Sequence, residues 1–199
     1  MEAMEVADEM GLTISFDVNF RKNLWTYGVA ATDVLPELCK KADIIFGDTG
    51  EYKVISGCKG VPFTATSSDY DMDLKGFNDW FEVVKAKNPR CKKFVMAVRN
   101  QVSTNHHVLT GLLHADGKLF SSRLYNIEQV VDPMGVGDAF IAAYLHAWLK
   151  WHDDDQRCLD FSLAASALKN TVPGDQNIVS EAEIEEAMGD PVFAYDGTD

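Results

Sequence analysis

A regular succession of strand and helix patterns is the feature that most limits how this chain can fold. Apolar and polar residues alternate strictly from Thr13 to Arg21, which predicts a strand. Helical patterns over 30–41, 50–55 and 74–87 separate that strand from two further apolar strands at 44–46 and 94–98. A helical pattern also covers the first ten residues, where Gly11 can end the helix. Strands that alternate with helices are typical of βαβ units, so we predict an α/β fold with a mostly parallel central sheet.

The second half of the chain predicts a β-hairpin followed by helices. Apolar segments at 108–113 and 118–125 flank Asp116 and Gly117, a pair that favours a tight antiparallel turn. Helices are predicted at about 137–150, 156–170 and 181–188, and the first of these is apolar on nearly every side, so we expect it in the core. Segment 58–72 has the pattern of a loop. Since the sequence contains no repeat, low-complexity tract or clear linker, residues 1–199 are predicted to form a single domain.

Composition excludes several classes of partner. The chain has 46% apolar and 25% charged residues, as is ordinary for a soluble globular protein. Its net charge of −13 argues against nucleic acid and anionic membranes as partners. The longest apolar run is far shorter than the roughly 20 residues that a membrane span requires, and no signal-peptide pattern is present, so a cytoplasmic location is predicted. The four cysteines are widely separated and lack metal-ligand spacing, which predicts free thiols.

The segment DPMGVGDAF, residues 132–140, is the strongest functional motif. Gly135 and Gly137 would let the backbone approach a ligand closely, and the helix that follows would direct its free N–H groups and positive dipole end at the turn. Such an environment suits a phosphate. The carboxylate of Asp138 at this junction is either an N-terminal cap of the helix or a base beside a reacting phosphoryl group, and the spacing does not decide between them.

This segment resembles the D-T-x-G-A-G-D-x-F signature of the ribokinase family, also called PfkB carbohydrate kinases. The matching residues are Asp132, Gly135, Gly137, Asp138 and Phe140. The resemblance implies a ribokinase-like three-layer αβα fold of which this chain lacks the N-terminal strands and the lid, with ATP and Mg²⁺ as cofactors. It further implies that Gly135, Val136 and Gly137 form an anion hole on the nucleotide side, near Asp132. Asp138 would contact the sugar and act as the base.

A second motif implies a sugar-acid site. FDVNFRKNLW, residues 16–25, resembles the F-D-x-N-x-R-x-x-L-W stretch of 2-keto-3-deoxygluconate kinases, a branch of that family. The strand pattern places Asp17, Asn19 and Arg21 on one polar face, where a solvated surface is the alternative interpretation. The resemblance implies that Arg21 helps to hold the sugar acid, for which a planar guanidinium is well suited, while Asp17 and Asn19 fix the loop.

Three further segments resemble nucleotide-side elements of these kinases. GDTGE, residues 47–51, is similar to the N-x-x-E element, in which the carboxylate acts through water and Mg²⁺; Glu51 matches, whereas Asp48 replaces Asn. VRNQVSTN, residues 98–105, is similar to an Arg-containing strand exit, with Arg99 as a ligand contact and Ser103 as a phosphate-side donor. ALKNTVPGD, residues 167–175, resembles the adenine-side segment and contains Pro173 and Gly174.

The sequence therefore supports an ATP-dependent sugar kinase as the leading hypothesis, with 2-keto-3-deoxygluconate converted to its 6-phosphate. A fructokinase or ribokinase type of activity is an alternative. Another is a catalytically incomplete kinase remnant that binds a nucleotide or a partner. A nucleotide-dependent oxidoreductase is a weaker hypothesis, because Phe140 occupies the third glycine position of G-x-G-x-x-G. The predicted strand at 13–18 should have an open edge, which is compatible with a homo-oligomer.

Overall fold

The computed structural model describes residues 1–61 and 72–189, so the predicted loop at 58–72 falls largely outside the described residues. The chain forms two compact units. Unit 1 holds the described residues of Met1–Pro62, Asp73–Met96 and His114–Lys118, and unit 2 holds those of Phe63–Met72, Ala97–Leu113 and Leu119–Asp199. The helices are α1 Glu2–Glu9, α2 Ala31–Cys39, α3 Thr49–Ser56, α4 Leu74–Lys87, α5 Val136–Lys150, α6 Asp155–Lys169 and α7 Glu181–Met188. The strands are β1 Ser15–Asp17, β2 Ile44–Phe46, β3 Lys93–Ser103, β4 His106–Ala115, β5 Lys118–Ser121 and β6 Tyr125–Ile127. The single-domain organisation stays a prediction.

Unit 1 contains the parallel strands that the sequence predicted. Strand β2 lies between β1 and the start of β3, and Phe46 is opposite both Asp17 and Val95. Because the strands are parallel and in register, their carboxyl ends lie at one edge of the sheet, where α/β folds bind ligands. The segments after β1 and after β2, which carry two of the predicted motifs, therefore leave the sheet at the same edge.

Helix α1 ends as its sequence predicted. Gly11 has φ +69°, and the N–H groups of Gly11 and Leu12 donate to the carbonyls of Asp8 and Ala7. This is the Schellman arrangement, which satisfies the last carbonyls of a helix and favours glycine at the left-handed position.

Aromatic side chains form the core of unit 1 around Tyr52 of α3. The Tyr52 ring makes edge contacts with Trp80, Phe81 and Phe94, at centroid distances of 5.8, 5.6 and 6.1 Å. Its hydroxyl donates to the carbonyl of Ile45 at 2.7 Å, so the buried phenol has a partner. Tyr52 thereby attaches helix α3 directly to strand β2.

Unit 1 should lose stability in mild acid because of His114. The ring is 1% exposed, stacks on Phe81 at 5.5 Å, and has Nε2 2.9 Å from Glu82 Oε1. Burial lowers the pKa of His114 below its ordinary value of 6.5, although the Glu82 carboxylate opposes the shift. A lowered pKa means that the unfolded chain binds the proton more readily than the folded chain. The stability associated with neutral, buried His114 is therefore fully present above pH 6.5 and is lost as the pH falls below that value. Urea unfolding between pH 7.5 and 5.5 should show a steeper loss of stability in the wild type than in His114→Gln.

The control for that comparison is His152→Gln, since His152 is an exposed histidine. His107, whose pKa burial also lowers, remains in both variants and cancels in the difference. If the free energy of unfolding depends on pH equally in the wild type and in His114→Gln, His114 does not take up a proton on unfolding.

Unit 2 contains antiparallel pairing that extends beyond the predicted hairpin. Strand β3 continues to Ser103, and a two-residue turn at Thr104 and Asn105 returns the chain as β4. This additional hairpin was not predicted, because Asn105 is not followed by glycine. The predicted strand over 118–125 is divided into β5 and β6, and β6 pairs antiparallel with β4 through His107 and Ile127. These strand pairs are thus parallel in unit 1 and antiparallel in unit 2.

Helices α5 and α6 pack together and against β4. The hydroxyls of Ser162 and Ser166 donate to the α5 carbonyls of Phe140 and Val136, at 2.7 and 3.1 Å. At Gly111 of β4 an added Cβ would lie 2.9 Å from Leu159 of α6, so glycine permits the close approach of helix and strand. These contacts fix the position of the first turn of α5.

Helix α5 lies in the core as expected, but through one face only. One face is buried through Phe140, Tyr144 and Ala147, whereas Leu149 on the other face is 68% exposed. A helix that is apolar on nearly every side has no polar face to mark its exposed side. Its sequence therefore could not predict which face the neighbouring elements cover.

Candidate active site

The glycine turn of residues 132–137 leads directly into helix α5 in unit 2. Gly135 is the N-cap residue, with φ +72°, and its carbonyl accepts the first helical hydrogen bond from Ala139 at 2.8 Å. No side chain caps this end. The N–H groups of Val136, Gly137 and Asp138 therefore belong to the first helical turn, where no intrahelical acceptor exists for them.

The two glycines have different structural roles. A Cβ on Gly135 would lie 1.9 Å from the carbonyl oxygen of Asp175, so this position has no room for a side chain. A Cβ on Gly137 would have no atom within 4 Å. Gly135 therefore allows the turn to pack against the chain behind it, while Gly137 leaves open space in front of the helix.

Asp132 connects the glycine turn to the segment that follows α6. Its carboxylate accepts from the N–H of Met134 at 2.9 Å and from the N–H of Gly174 at 2.8 Å. These two backbone hydrogen bonds lower the pKa of Asp132 below its ordinary value. The N–H of Val131 also donates to the carbonyl of Asn170 at 2.8 Å. The structure thus brings together two segments that the sequence analysis treated separately, the glycine turn and the Pro173–Gly174 segment.

Asp138 is exposed at the third position of α5, beside Gly137. Because Gly135 is the N-cap residue, Asp138 is not the cap, and one of the two roles left open by the sequence is removed. A carboxylate in the first turn of a helix interacts favourably with the helix dipole, and Asp138 is exposed to a ligand at this turn.

A groove of about 570 Å³ lies in unit 2 next to this segment. It is lined by Leu168, Thr171, Val172, Ile178, Val179, Glu183, Glu186 and Ala187. Ile178 is 77% exposed, an unusual position for a large aliphatic side chain. The groove combines aliphatic side chains with the polar residues Thr171, Glu183 and Glu186, and such a mixed lining suits a partly apolar ligand.

In unit 1 the motif after β1 is a loop and not a continuation of the strand. The N–H of Val18 still donates to the carbonyl of Phe46 at 3.0 Å, but Asn19 has φ +39° and ends the alternation. The predicted common strand face of Asp17, Asn19 and Arg21 is therefore wrong. Arg21 is exposed and precedes a short 3-10 turn at Lys22–Leu24. Asparagine tolerates the left-handed region better than most residues, and period-2 alternation cannot reveal such a break.

The motif after β2 forms a capping box at the start of α3. Asp48 accepts from the N–H of Glu51 at 2.8 Å, and Glu51 Oε2 accepts from the N–H of Asp48 at 2.9 Å. Glu51 Oε1 accepts in addition from the N–H of Phe20 at 2.6 Å. Burial raises the pKa of Glu51, and these backbone hydrogen bonds oppose the shift.

The described residues contain no group of three or more His, Cys, Asp or Glu side chains that could hold a metal ion. Mg²⁺ commonly takes one or two carboxylates and keeps several waters while it binds substrate phosphates. The carboxylates of Asp48 and Glu51 are compatible with that kind of site, because it does not need a cage made of protein.

Arg99 and Ser103 lie on an extended strand and not at the predicted strand exit. Both are exposed on β3, which ends only at Ser103. The Ser103 hydroxyl donates to the side-chain oxygen of Asn105 at 3.0 Å across the hairpin turn. The strand boundary was misplaced because polar residues within an antiparallel ribbon resemble a polar loop.

Sequence reasoning missed the residues that support the glycine turn from behind. Lys169 is completely buried, and its ammonium donates to the carbonyl of Val172 at 2.9 Å. Asn170, also buried, donates from Nδ2 to the carbonyl of Ser166 at 2.8 Å. A lysine and an asparagine at the end of α6 were the available signal, and sequence reasoning placed them in the adenine-side segment without giving either an individual role.

Comparison with known proteins finds similarity to carbohydrate kinases. The model of the pfkB family carbohydrate kinases matches residues 110–182. A 2-dehydro-3-deoxygalactonokinase of Haloferax volcanii is 25% identical over 94% of the chain and 50% of its own length. A probable fructokinase-2 of Arabidopsis thaliana is 26% identical over 87% of the chain and 47% of its own length. The crystal structure of 2-dehydro-3-deoxygluconokinase from Thermotoga maritima superposes with a TM-score of 0.81 at 27% identity, over 95% of this chain and 54% of that one.

The fold is a ribokinase-like α/β fold with a mixed sheet, as the sequence predicted from its resemblance. The chain is similar to pfkB family carbohydrate kinases over residues 110–182, and the compared relatives are carbohydrate kinases. It spans about half the length of the curated relatives that it matches. Within the described residues, no helix is both long enough and apolar enough to cross a membrane.

Proposed function

We propose that this chain carries the nucleotide-binding and phosphoryl-transfer machinery of an ATP-dependent sugar-acid kinase. The substrate is 2-keto-3-deoxygluconate, which is phosphorylated at its terminal hydroxyl to the 6-phosphate. The observation that carries the proposal is the first turn of α5, where uncapped N–H groups and open space at Gly137 lie beside the exposed carboxylate of Asp138.

The first turn of α5 supplies what phosphoryl transfer requires. Asp138 accepts the proton of the attacking hydroxyl, whose oxygen forms a bond to the γ-phosphorus as the bond between that phosphorus and the leaving ADP oxygen breaks. The N–H groups of Val136 and Gly137 donate to the oxygens of the transferred group, where negative charge must be stabilised. Because Asp132 holds the turn through Met134 and Gly174, these donors are oriented before the nucleotide binds.

The proposed substrate is supported by the motif after β1 and by the relatives. Arg21 binds the carboxylate of the sugar acid, for which its planar guanidinium can make a bidentate contact. Two of the compared relatives are kinases of 2-dehydro-3-deoxy sugars, which carry such a carboxylate. Fructokinases are also among the relatives, so fructose and ribose are the competitors to test.

The proposed cofactors are ATP and Mg²⁺. The groove bordered by Leu168, Val172 and Ile178 takes the adenine, because it adjoins the segment that holds the glycine turn. Mg²⁺, when bound, would supply positive charge at the nucleotide phosphates, and Glu51 would help to hold it through water. Arg99 and Ser103 are proposed as further contacts on the nucleotide side.

A coupled ADP-release assay tests this proposal. ATP, Mg²⁺ and 2-keto-3-deoxygluconate are supplied to the 199-residue chain and, in parallel, to a version extended upstream in its source DNA. Turnover of the sugar acid is expected, with fructose and ribose much poorer as substrates. Calorimetric titration with ATP, run on the same samples, measures nucleotide binding separately.

Each result has a distinct meaning. ATP binding without turnover in both forms would favour the alternative of a nucleotide-binding product without catalysis. Turnover with fructose or ribose in place of the sugar acid would keep the kinase and overturn the substrate. Absence of both ATP binding and turnover would refute the proposal.

A further inference from the structure

We propose that Glu51 is a positioning residue, which holds the loop after β1 so that Arg21 presents its guanidinium to the sugar acid. This inference rests on the proposed function, since that function assigns Arg21 to the substrate carboxylate. A single carboxylate joins the two motif segments of unit 1. Its Oε1 accepts from the N–H of Phe20 at 2.6 Å, and its Oε2 accepts from the N–H of Asp48 at 2.9 Å.

The loop after β1 depends on this contact because it leaves the sheet abruptly. The N–H of Val18 donates to the carbonyl of Phe46, and the positive φ of Asn19 then turns the backbone away from β2. The N–H of Phe20 is thereby separated from the sheet acceptors, and a half-buried amide needs another partner. Glu51 is that partner, and Phe20, whose amide it holds, directly precedes Arg21 in the chain.

The Phe20 side chain extends the effect to the rest of the loop. Its ring meets Trp25 edge-on at 5.8 Å, and Trp25 Nε1 donates to the carbonyl of Val29 at 2.6 Å. Arg21 therefore lies between a backbone amide fixed by Glu51 and an indole fixed by the following segment. Because the groups on both sides of Arg21 are fixed, the loop has less conformational freedom to lose when the sugar acid binds.

Gly47 leaves the space that Glu51 occupies. A Cβ on Gly47 would lie 3.3 Å from the Cβ of Glu51, 3.4 Å from its Oε2 and 3.6 Å from Val18. The Glu51 side chain thus lies against Gly47 and joins the segment after β1 to the start of α3. Both carboxylate oxygens are engaged in backbone hydrogen bonds, so the positioning role does not require a metal ion.

Amide hydrogen exchange tests the geometry without any ligand. In the wild-type 199-residue chain, NMR should show the Phe20 and Asp48 amides protected relative to an unstructured peptide. Glu51→Gln has one acceptor oxygen and a donor amide in place of two acceptors, so at least one of these N–H groups should exchange roughly 10- to 100-fold faster. Glu37→Gln is the control, because Glu37 pairs with Lys40 on exposed α2. An unprotected Phe20 amide in the wild type would overturn the proposal, whether or not the variant folds.

Calorimetry with 2-keto-3-deoxygluconate tests the consequence for Arg21. The titrations contain EDTA and no nucleotide, so a role of Glu51 at Mg²⁺ cannot affect them. Glu51→Gln should weaken binding about 10-fold, and Arg21→Met should weaken it at least as much. In the double variant the Glu51 change should add little, because a residue that acts through Arg21 loses its effect when Arg21 is absent.

The two failures are distinguishable. Absence of sugar-acid binding in the wild type, with a protected Phe20 amide, would contradict the proposed substrate and leave the backbone contact established. Equal sugar-acid affinity in the wild type and Glu51→Gln would overturn the positioning role, as would full additivity with Arg21→Met.

Discussion

Asp138→Asn is expected to reduce turnover by about 10²- to 10⁴-fold while ATP affinity stays near that of the wild type. Asparagine keeps the size of the side chain and cannot accept the proton of the attacking hydroxyl. The nucleotide contacts proposed here come from backbone N–H groups of the same helical turn, which the substitution leaves in place. Steady-state kinetics in the form of the protein that turns over the sugar acid, together with ATP calorimetry, measures both quantities.

The matched control is Asp153→Asn, which removes one exposed carboxylate in the turn between α5 and α6. It changes the net charge equally and should leave turnover unaffected. Near-normal turnover in Asp138→Asn would exclude Asp138 as the base. A loss of ATP binding would instead indicate that its carboxylate stabilises the turn.

Gly135→Ala is expected to destabilise unit 2 and to abolish nucleotide binding. The residue has φ +72°, a left-handed conformation that costs a side-chain-bearing residue roughly 1–2 kcal/mol. The new methyl group would also lie 1.9 Å from the backbone oxygen of Asp175, which belongs to a segment held by Asp132. Strain and steric overlap together should lower the free energy of unfolding by about 3 kcal/mol. Urea unfolding and ATP calorimetry provide the two measurements.

Gly137→Ala is the matched comparison for Gly135→Ala, because it adds the same methyl group at the other glycine of the turn. Its Cβ would meet no atom within 4 Å, and alanine favours a helix over glycine by roughly 0.5–1 kcal/mol, so the fold should be slightly stabilised. If phosphate approaches the backbone here, the same methyl group should weaken ATP binding roughly 10-fold or more. A variant that is more stable yet binds ATP normally would show that the phosphates do not contact Gly137.

Local patterns predicted the helices and the parallel strands well. The helical periodicity over 74–87 and the short apolar run at 44–46 became α4 and β2 with the expected bounds. Gly11 ended α1 as predicted, because a left-handed residue after a helix is a local property of the chain. The errors occurred where the partner of a segment decides its structure, as at Asn19 and at the hairpin turn after Ser103.

In the candidate site, too, some features follow from the local sequence and others depend on tertiary contacts. The motif at 132–140 determined by itself that a glycine turn leads into an apolar helix with an acidic residue in its first turn, since each of these features depends on neighbours in the chain. The sequence alone could not determine that Gly135 is fixed by the carbonyl of Asp175, that Asp132 holds Gly174, or that Glu51 reaches Phe20. Those contacts join residues 31 to 42 positions apart, and only tertiary packing brings them within hydrogen-bond distance. Residue types and their spacing thus predicted where the candidate site lies, whereas the tertiary structure decided which backbone groups hold its side chains in place.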